Sequence, residues 1–143
     1  GVAGDKPLIV QTTKRAETVK QLLAEHYEQG DSFVLLCKNR AGCEALYHEL
    51  QAQIPDVQLI TEQQKMYTKG ILIMPGYMAK GFEFTTVVLA DANEHIYYAD
   101  MDAYLLYTIA SRATRKLFLL TEGQLPKALA HVDKQYYRKE VNL

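Results

Sequence analysis

No run of apolar residues approaches the ~20 needed to cross a bilayer, and the start of the chain lacks the pattern of a secretory signal. A soluble protein without a membrane partner is expected. An excess of one charge is missing too. The formal net charge is −1 and the sequence pI is near 6.5, so no global basic field advertises nucleic acid, and any such contact must be local. Cysteine is scarce: the only two, Cys37 and Cys43, lack metal-ligand spacing and read as buried, reduced thiols of a cytoplasmic protein. The histidines, His26, His48, His95 and His131, are scattered, which argues against a metal site. No G-x-S-x-G surrounds Ser32 or Ser111, so a serine nucleophile is not indicated. There is no G-x-x-x-x-G-K-[ST], and no Asp-Glu pair closes a strand; the chain carries neither a phosphate cradle nor magnesium ligands of the usual kind. Internal repeats, low-complexity tracts and an initiator methionine are absent as well.

What is present is the composition of a globular domain. With 48% hydrophobic and 23% charged residues over 143 positions, the chain can bury a real core. Residues 1–7 are glycine-rich and polar and read as a linker from something longer, which leaves 8–143 as the domain. Residues 8–13 read as a strand and 14–29 as a helix, with Val19, Leu22, Leu23 and Tyr27 at helical spacing before Gly30 as C-cap. A buried strand over 33–37 follows, then a helix capped by Asn39 with Ala41, Ala45, Leu46 and Leu50 inward and Pro55 beyond its end. Residues 57–60 are a short strand candidate and 61–69 a polar loop. Strands are expected at 71–74 and 87–90, a helix capped by Asp100 or Asp102 and running to about Arg115, a strand over 117–121, and a terminal helix over 126–139. Alternating strands and helices predict a mainly parallel sheet of about five or six strands.

The stretch Pro75-Gly-Tyr-Met-Ala-Lys-Gly-Phe-Glu-Phe84 places glycine, lysine and carboxylate between two apolar runs that need none of them. It therefore reads as a loop at a sheet edge, where open α/β sheets place ligand sites. Ala79-Lys80-Gly81-Phe82-Glu83-Phe84 resembles the fifth motif of superfamily-one helicases of the UvrD/Rep class, often A-K-G-L-E-F. Leu105-Leu-Tyr-Thr-Ile-Ala-Ser-Arg-Ala113, running into a strand, resembles the sixth motif, L-Y-V-x-x-T-R-A. Val34-Leu-Leu-Cys-Lys-Asn-Arg40 resembles the fourth more weakly. The resemblance implies a three-layer RecA-like domain of the P-loop NTPase type, the second such domain of an ATP-dependent DNA helicase or translocase. It puts an arginine finger on Arg112, whose planar fork suits two γ-phosphate oxygens. It gives nucleotide-binding roles to Lys80, to Gly81, to Glu83 at the ribose hydroxyls, and to Lys38, which stands where an arginine reaches γ-phosphate. ATP and magnesium would then be held mainly by an N-terminal RecA-like domain of the same polypeptide, and this chain alone would hydrolyse no ATP.

Three departures from that pattern are visible. Cys37 stands where an aromatic residue stacks on adenine, and Arg40 competes with Lys38 for the phosphate. Pro75 and Tyr77 replace the threonine and histidine that many members use around DNA; proline has no donor for a phosphate oxygen, which puts that contact in doubt. The span between Leu50 and Gly70 has no room for the large inserted domain of UvrD/Rep enzymes, which shifts the resemblance toward HelD-type motors acting on RNA polymerase. A second function follows as an alternative, ATP-driven remodelling of RNA polymerase, and a third is a nucleotide-free interaction module. The plainer reading of Arg112, Arg115 and Lys116 is that they complement the negative end of a helix.

Overall fold

The computed structural model describes residues 6–62, 69–130 and 132–142; most of the expected linker and most of the 61–69 loop lie outside them. The strands are β1 (Leu8–Thr12), β2 (Ser32–Cys37), β3 (Gln58–Leu59), β4 (Gly70–Pro75), β5 (Phe84–Leu89), β6 (Ala113–Thr121) and β7 (Arg138–Asn142). The helices are α1 (Arg15–His26), α2 (Arg40–Leu50), α3 (Asp100–Ala110) and the single turn α4 (Lys127–Ala130). All pairings are parallel, and the strand order is β3-β4-β2-β5-β6-β1-β7. Among the described residues the sheet thus has seven strands, more than the five or six expected, and the strand not anticipated is β7.

Side chains alternate across the sheet, so each strand feeds two cores. Phe33, Leu35 and Cys37 of β2 pack with Val19 and Leu22 of α1 and Cys43, Leu46 and Leu50 of α2. On the opposite face Val34 and Leu36 join Met74, Met78, Val87 and Leu89 under Leu106 and Ile109 of α3. That face also carries a short 3-10 turn, Gly76–Ala79, between β4 and β5. Cys37 and Cys43 are both free and buried, and the Cys37 thiol is pushed far up in pKa by its hydrogen bond with Cys43 and by burial. No helix among the described residues is long and apolar enough to cross a membrane.

Three expected boundaries are corrected. The terminal helix over 126–139 shrinks to the turn Lys127–Ala130, and Arg138–Asn142 becomes a strand. Its backbone groups gain a full parallel ladder with β1, Leu8 opposite Arg138 through Thr12 opposite Asn142, and this outweighs local helical preference. The helix expected to run to about Arg115 stops at Ala110, because Ala113 already pairs with Phe84 in the sheet. Arg115 and Lys116 therefore lie in β6 and do not cap a helix. Helix α1 likewise ends at His26, with Tyr27 extended, so Gly30, at φ 98°, serves the turn that follows and not a C-cap. The N-cap expectation holds at α2, where Asn39 Oδ1 accepts the Gly42 N–H at 2.9 Å.

Candidate functional site

Because every strand is parallel, residues that precede a strand and residues that follow one lie at opposite edges of the sheet. Glu83 precedes β5, and Arg112 precedes its neighbour β6. The Phe84 N–H donates to the Arg112 carbonyl at 2.8 Å, one step beyond the Phe84–Ala113 register pair. Glu83 and Arg112 are thereby brought to one edge, the amino ends of β5 and β6, and Lys80 and Gly81 lie on the segment that leads to it. Lys80, Gly81 and Glu83 are exposed, and Arg112 is half-buried. Gly81 has φ 87°, a conformation L side chains rarely adopt, and a Cβ built on it would meet nothing within 4 Å. The segment can therefore receive a ligand close to its backbone.

Helix α3 ends in a way that fixes Arg112. The Ser111 hydroxyl donates to the Thr108 carbonyl at 2.9 Å, and Arg112 Nε donates to the same oxygen at 3.1 Å. Arg112 Nη2 donates to Ser111 Oγ at 3.0 Å. One orphan carbonyl of the helix end is thus satisfied by two side chains. The guanidinium is anchored along one side, and Nη1 has no partner among the described residues. No carboxylate there comes within ion-pair range of Arg112. Arg112 therefore does contact the helix end, as the plainer reading expected, while keeping part of its fork open.

Lys38 is not brought to this edge. It follows β2, at the carboxyl ends, and the length of β5 alone, Phe84–Leu89, puts roughly 17 Å between the two edges. Its ammonium donates to the Ile96 carbonyl at 2.8 Å and to Asp102 Oδ2 at 3.0 Å, and lies 5.0 Å from the centre of the Tyr98 ring. Asp102 in turn accepts the Ala99 N–H at 3.0 Å, closing the first turn of α3. Burial raises the Asp102 carboxyl, but that N–H and the Lys38 ammonium outweigh it and hold the group below its ordinary pKa. Pro75 and Tyr77 also lie at the carboxyl edge: Pro75 is buried as the last residue of β4, and Tyr77 is 57% exposed. The parallel sheet predicted from sequence already carried this separation, since motif residues before and after a strand cannot share an edge.

Sequence reasoning missed a buried network at the carboxyl edge. Asp91, 6% exposed, accepts the Tyr97 hydroxyl at 2.7 Å on one oxygen and the Lys38 main-chain N–H at 3.0 Å on the other. Burial pushes the Asp91 carboxyl above its ordinary pKa, against the pull of these donors, and pushes the Tyr97 hydroxyl up as well. The available signal was an aspartate directly after an apolar strand. A cavity of about 350 Å³ opens beside it, lined by Thr12, Arg15, Asp91, Asn93, His95 and Thr121 among others. Its polar groups serve one another: Arg15 pairs with Glu49 at 2.7 Å, and Asn93 Oδ1 accepts from Thr121 Oγ1 and the Glu122 N–H. The cavity lies at the edge opposite Arg112, and Arg15, Glu49, Asn93 and Thr121 of its lining are engaged with one another and with the main chain.

Comparison with known proteins agrees with the fold. The model of the UvrD-like helicase C-terminal domain matches residues 70–120, the span from β4 to β6. The C-terminal domain of a possible DNA helicase from Lactobacillus plantarum WCFS1 is 33% identical, with a TM-score of 0.84 over 95% of this chain and 86% of that one. The C-terminal domain of the DEAD-box protein Dbp5 superposes with a TM-score of 0.63 at 12% identity, over 95% of this chain and 89% of that one, a likeness of fold alone. No curated protein matches by sequence.

Proposed function

Because the chain belongs to the family of UvrD-like helicase C-terminal domains, we propose that it is the C-terminal motor domain of an ATP-dependent DNA helicase or translocase. On this reading it closes over ATP whose phosphates and magnesium ion are held mainly by an N-terminal RecA-like domain of the same polypeptide. The observation that carries the reading is the Phe84–Arg112 main-chain bond, which sets Glu83 and Arg112 side by side at an open edge. The residues present suit part of a nucleotide. The exposed Glu83 carboxylate can accept hydrogen bonds from ribose hydroxyls, Lys80 adds a positive charge, and Gly81 leaves the backbone uncovered. They do not suit a metal: no group of three His, Cys, Asp or Glu among the described residues could hold one. No step is therefore assigned to a metal on this chain.

Bound ATP would supply the phosphoanhydride whose cleavage drives the motor. Arg112 does its part by geometry. With Nε held on Thr108, the plane of the fork is set before the nucleotide arrives, and Nη1 with Nη2 can brace oxygens whose charge grows in the transition state. Lys38 is placed by the same reading in a structural brace at the far edge and not on phosphate. Arg112→Ala in the intact polypeptide should lower turnover by roughly 10³- to 10⁵-fold with a much smaller change in nucleotide affinity, and Arg112→Lys should recover little. A purely capping arginine predicts a stability loss of about 0.3–1 kcal/mol with turnover kept and lysine adequate. Preserved turnover in both variants would refute the assignment.

One observation favours the second reading, remodelling of RNA polymerase. The cations that follow β2, whose last residue Cys37 lies opposite Pro75, are engaged by carboxylates: Lys38 with Asp102 at 3.0 Å, and Arg40 with Glu44 at 3.2 Å and Glu62 at 3.8 Å. A nucleic-acid backbone would have to displace them. Duplex unwinding by the intact polypeptide supports the first reading; absence of unwinding with stoichiometric co-purification of RNA polymerase supports the second.

A further inference from the structure

Gly76 opens the 3-10 turn that leads into Lys80, Gly81 and Glu83, and it is buried. Its φ is not positive, so its backbone does not require glycine. Space does. A Cβ built on Gly76 would stand 2.5 Å from Ile109 Cδ1, 3.0 Å from Ile109 Cγ1 and 3.6 Å from Leu105 Cδ1. Ile109 is 1% exposed and packed in the core beneath α3, and as a β-branched residue in a helix it has essentially one χ1 setting. Rotation about χ2 can move Cδ1 but not Cγ1, which χ1 holds 3.0 Å from the added methyl, so the methyl presses on the last turn of α3. That turn holds Thr108, the anchor of the Arg112 guanidinium, and Ile109 accepts the Arg112 N–H through its own carbonyl at 3.0 Å.

From this geometry we infer that Gly76 and Ile109 form a positioning contact that sets the Arg112 fork relative to the Lys80–Glu83 segment. The inference rests on the reading that these residues serve one nucleotide. The contact joins the two chain segments that carry them: the turn runs on to Glu83, and the helix runs on to Arg112. Neither Gly76 nor Ile109 touches the nucleotide; both are positioning residues. The turn contains Tyr77 and follows β4 at the carboxyl edge, and the chain beyond it, 80–83, leads to β5 at the amino edge.

The experiment uses the intact polypeptide that carries this domain and compares Gly76→Ala, Ile109→Ala and the double variant in steady-state ATP turnover, with melting temperature measured in parallel. Misplacement of a catalytic group by about 1 Å can cost on the order of 100-fold. Gly76→Ala should lower kcat by roughly 10- to 100-fold with KM changed less than about threefold. The double variant should turn over faster than Gly76→Ala alone, because removing the Ile109 branches makes room for the methyl. In an Arg112→Ala background Gly76→Ala should lower kcat no further. If Gly76→Ala does not fold, Ile109→Val and Ile109→Ala are read instead, and each should lower kcat while leaving KM in place. The inference is overturned if kcat survives Gly76→Ala, if the double variant is no faster than the single, or if the loss is the same with Arg112 removed. Survival of turnover in Arg112→Ala alone would instead strike the parent reading.

Discussion

Replacing Tyr97 by phenylalanine removes one atom from the buried network behind β5 and tests how the loop from β5 to α3 is held. The Tyr97 hydroxyl, on a residue 3% exposed, donates to Asp91 at 2.7 Å. Asp91 then keeps the Lys38 N–H at 3.0 Å and the field of Arg15. A hydrogen bond to a charged partner contributes about 1.5–3 kcal/mol, and one to a neutral partner about 0.5–1.5. At about 4 °C per kcal/mol for a chain of this size, loss of the charged bond lowers Tm by roughly 6–12 °C. The pH dependence has a definite sign. Burial already raises the Asp91 carboxyl, so the native state holds its proton more tightly than the unfolded chain, and stability declines as pH rises from the ordinary carboxylate value through the raised one. Tyr97 opposes that rise; without it the decline is steeper. The gap between wild type and Tyr97→Phe should be wider near pH 8 than near pH 4, where a larger share of Asp91 is protonated and the lost bond is closer to a neutral one. Thermal melts followed by far-ultraviolet circular dichroism at both values decide the matter. A shift below about 2 °C, or a gap independent of pH, would refute a charge-bearing Asp91–Tyr97 bond.

Two further outcomes follow from Lys38 and Asp102. Lys38→Met removes the donor to Ile96 and Asp102 and should cost about 1–3 kcal/mol of stability while leaving the KM for ATP unchanged; a tenfold rise in that KM would return Lys38 to the phosphate role its position after β2 argues against. Asp102, held below its ordinary pKa, contributes stability that is complete above the ordinary carboxylate value of about 3.9 and is lost as pH falls through the lowered one. Asp102→Asn should therefore melt below wild type at neutral pH, with the difference closing in acid; a difference that persists unchanged in acid would show that the ion pair with Lys38 is not its source.

The inner strands could be read from the sequence because the physics that makes them is local. The apolar runs around Phe33, Ile71, Val87 and Leu117 are covered on both faces, and only a central parallel strand needs that pattern. The Asn39 cap was legible for the same reason: donor and acceptor are three residues apart. β7 was not legible. Arg138, Lys139 and Glu140 are exposed on both of its faces, with no alternating pattern to mark a strand, and it is one only because β1, more than a hundred residues earlier, offers a ladder. The end of α3 lies earlier than expected because nothing local stops the helix before Ala113, which answers to Phe84 across the sheet. At the site, the loop from Pro75 to Phe84 stood out by its residue types. Lys38 was grouped with it by motif likeness alone, and its partners Ile96 and Asp102 are fixed only when the chain folds back.

The pairing of β1 with β7 also orders events in time. A hairpin can form as soon as both of its strands exist, but here the first strand meets its outer neighbour only after nearly all the described chain has been made. Until then Leu8, Ile9 and Val10 lie in a strand with one open side, and β6 is the sole neighbour that can shelter it. A ribosome releasing this sequence therefore holds an unfinished sheet edge until β7 emerges, and it is during that interval, not in the finished molecule, that the chain is most open to pairing with the wrong strand.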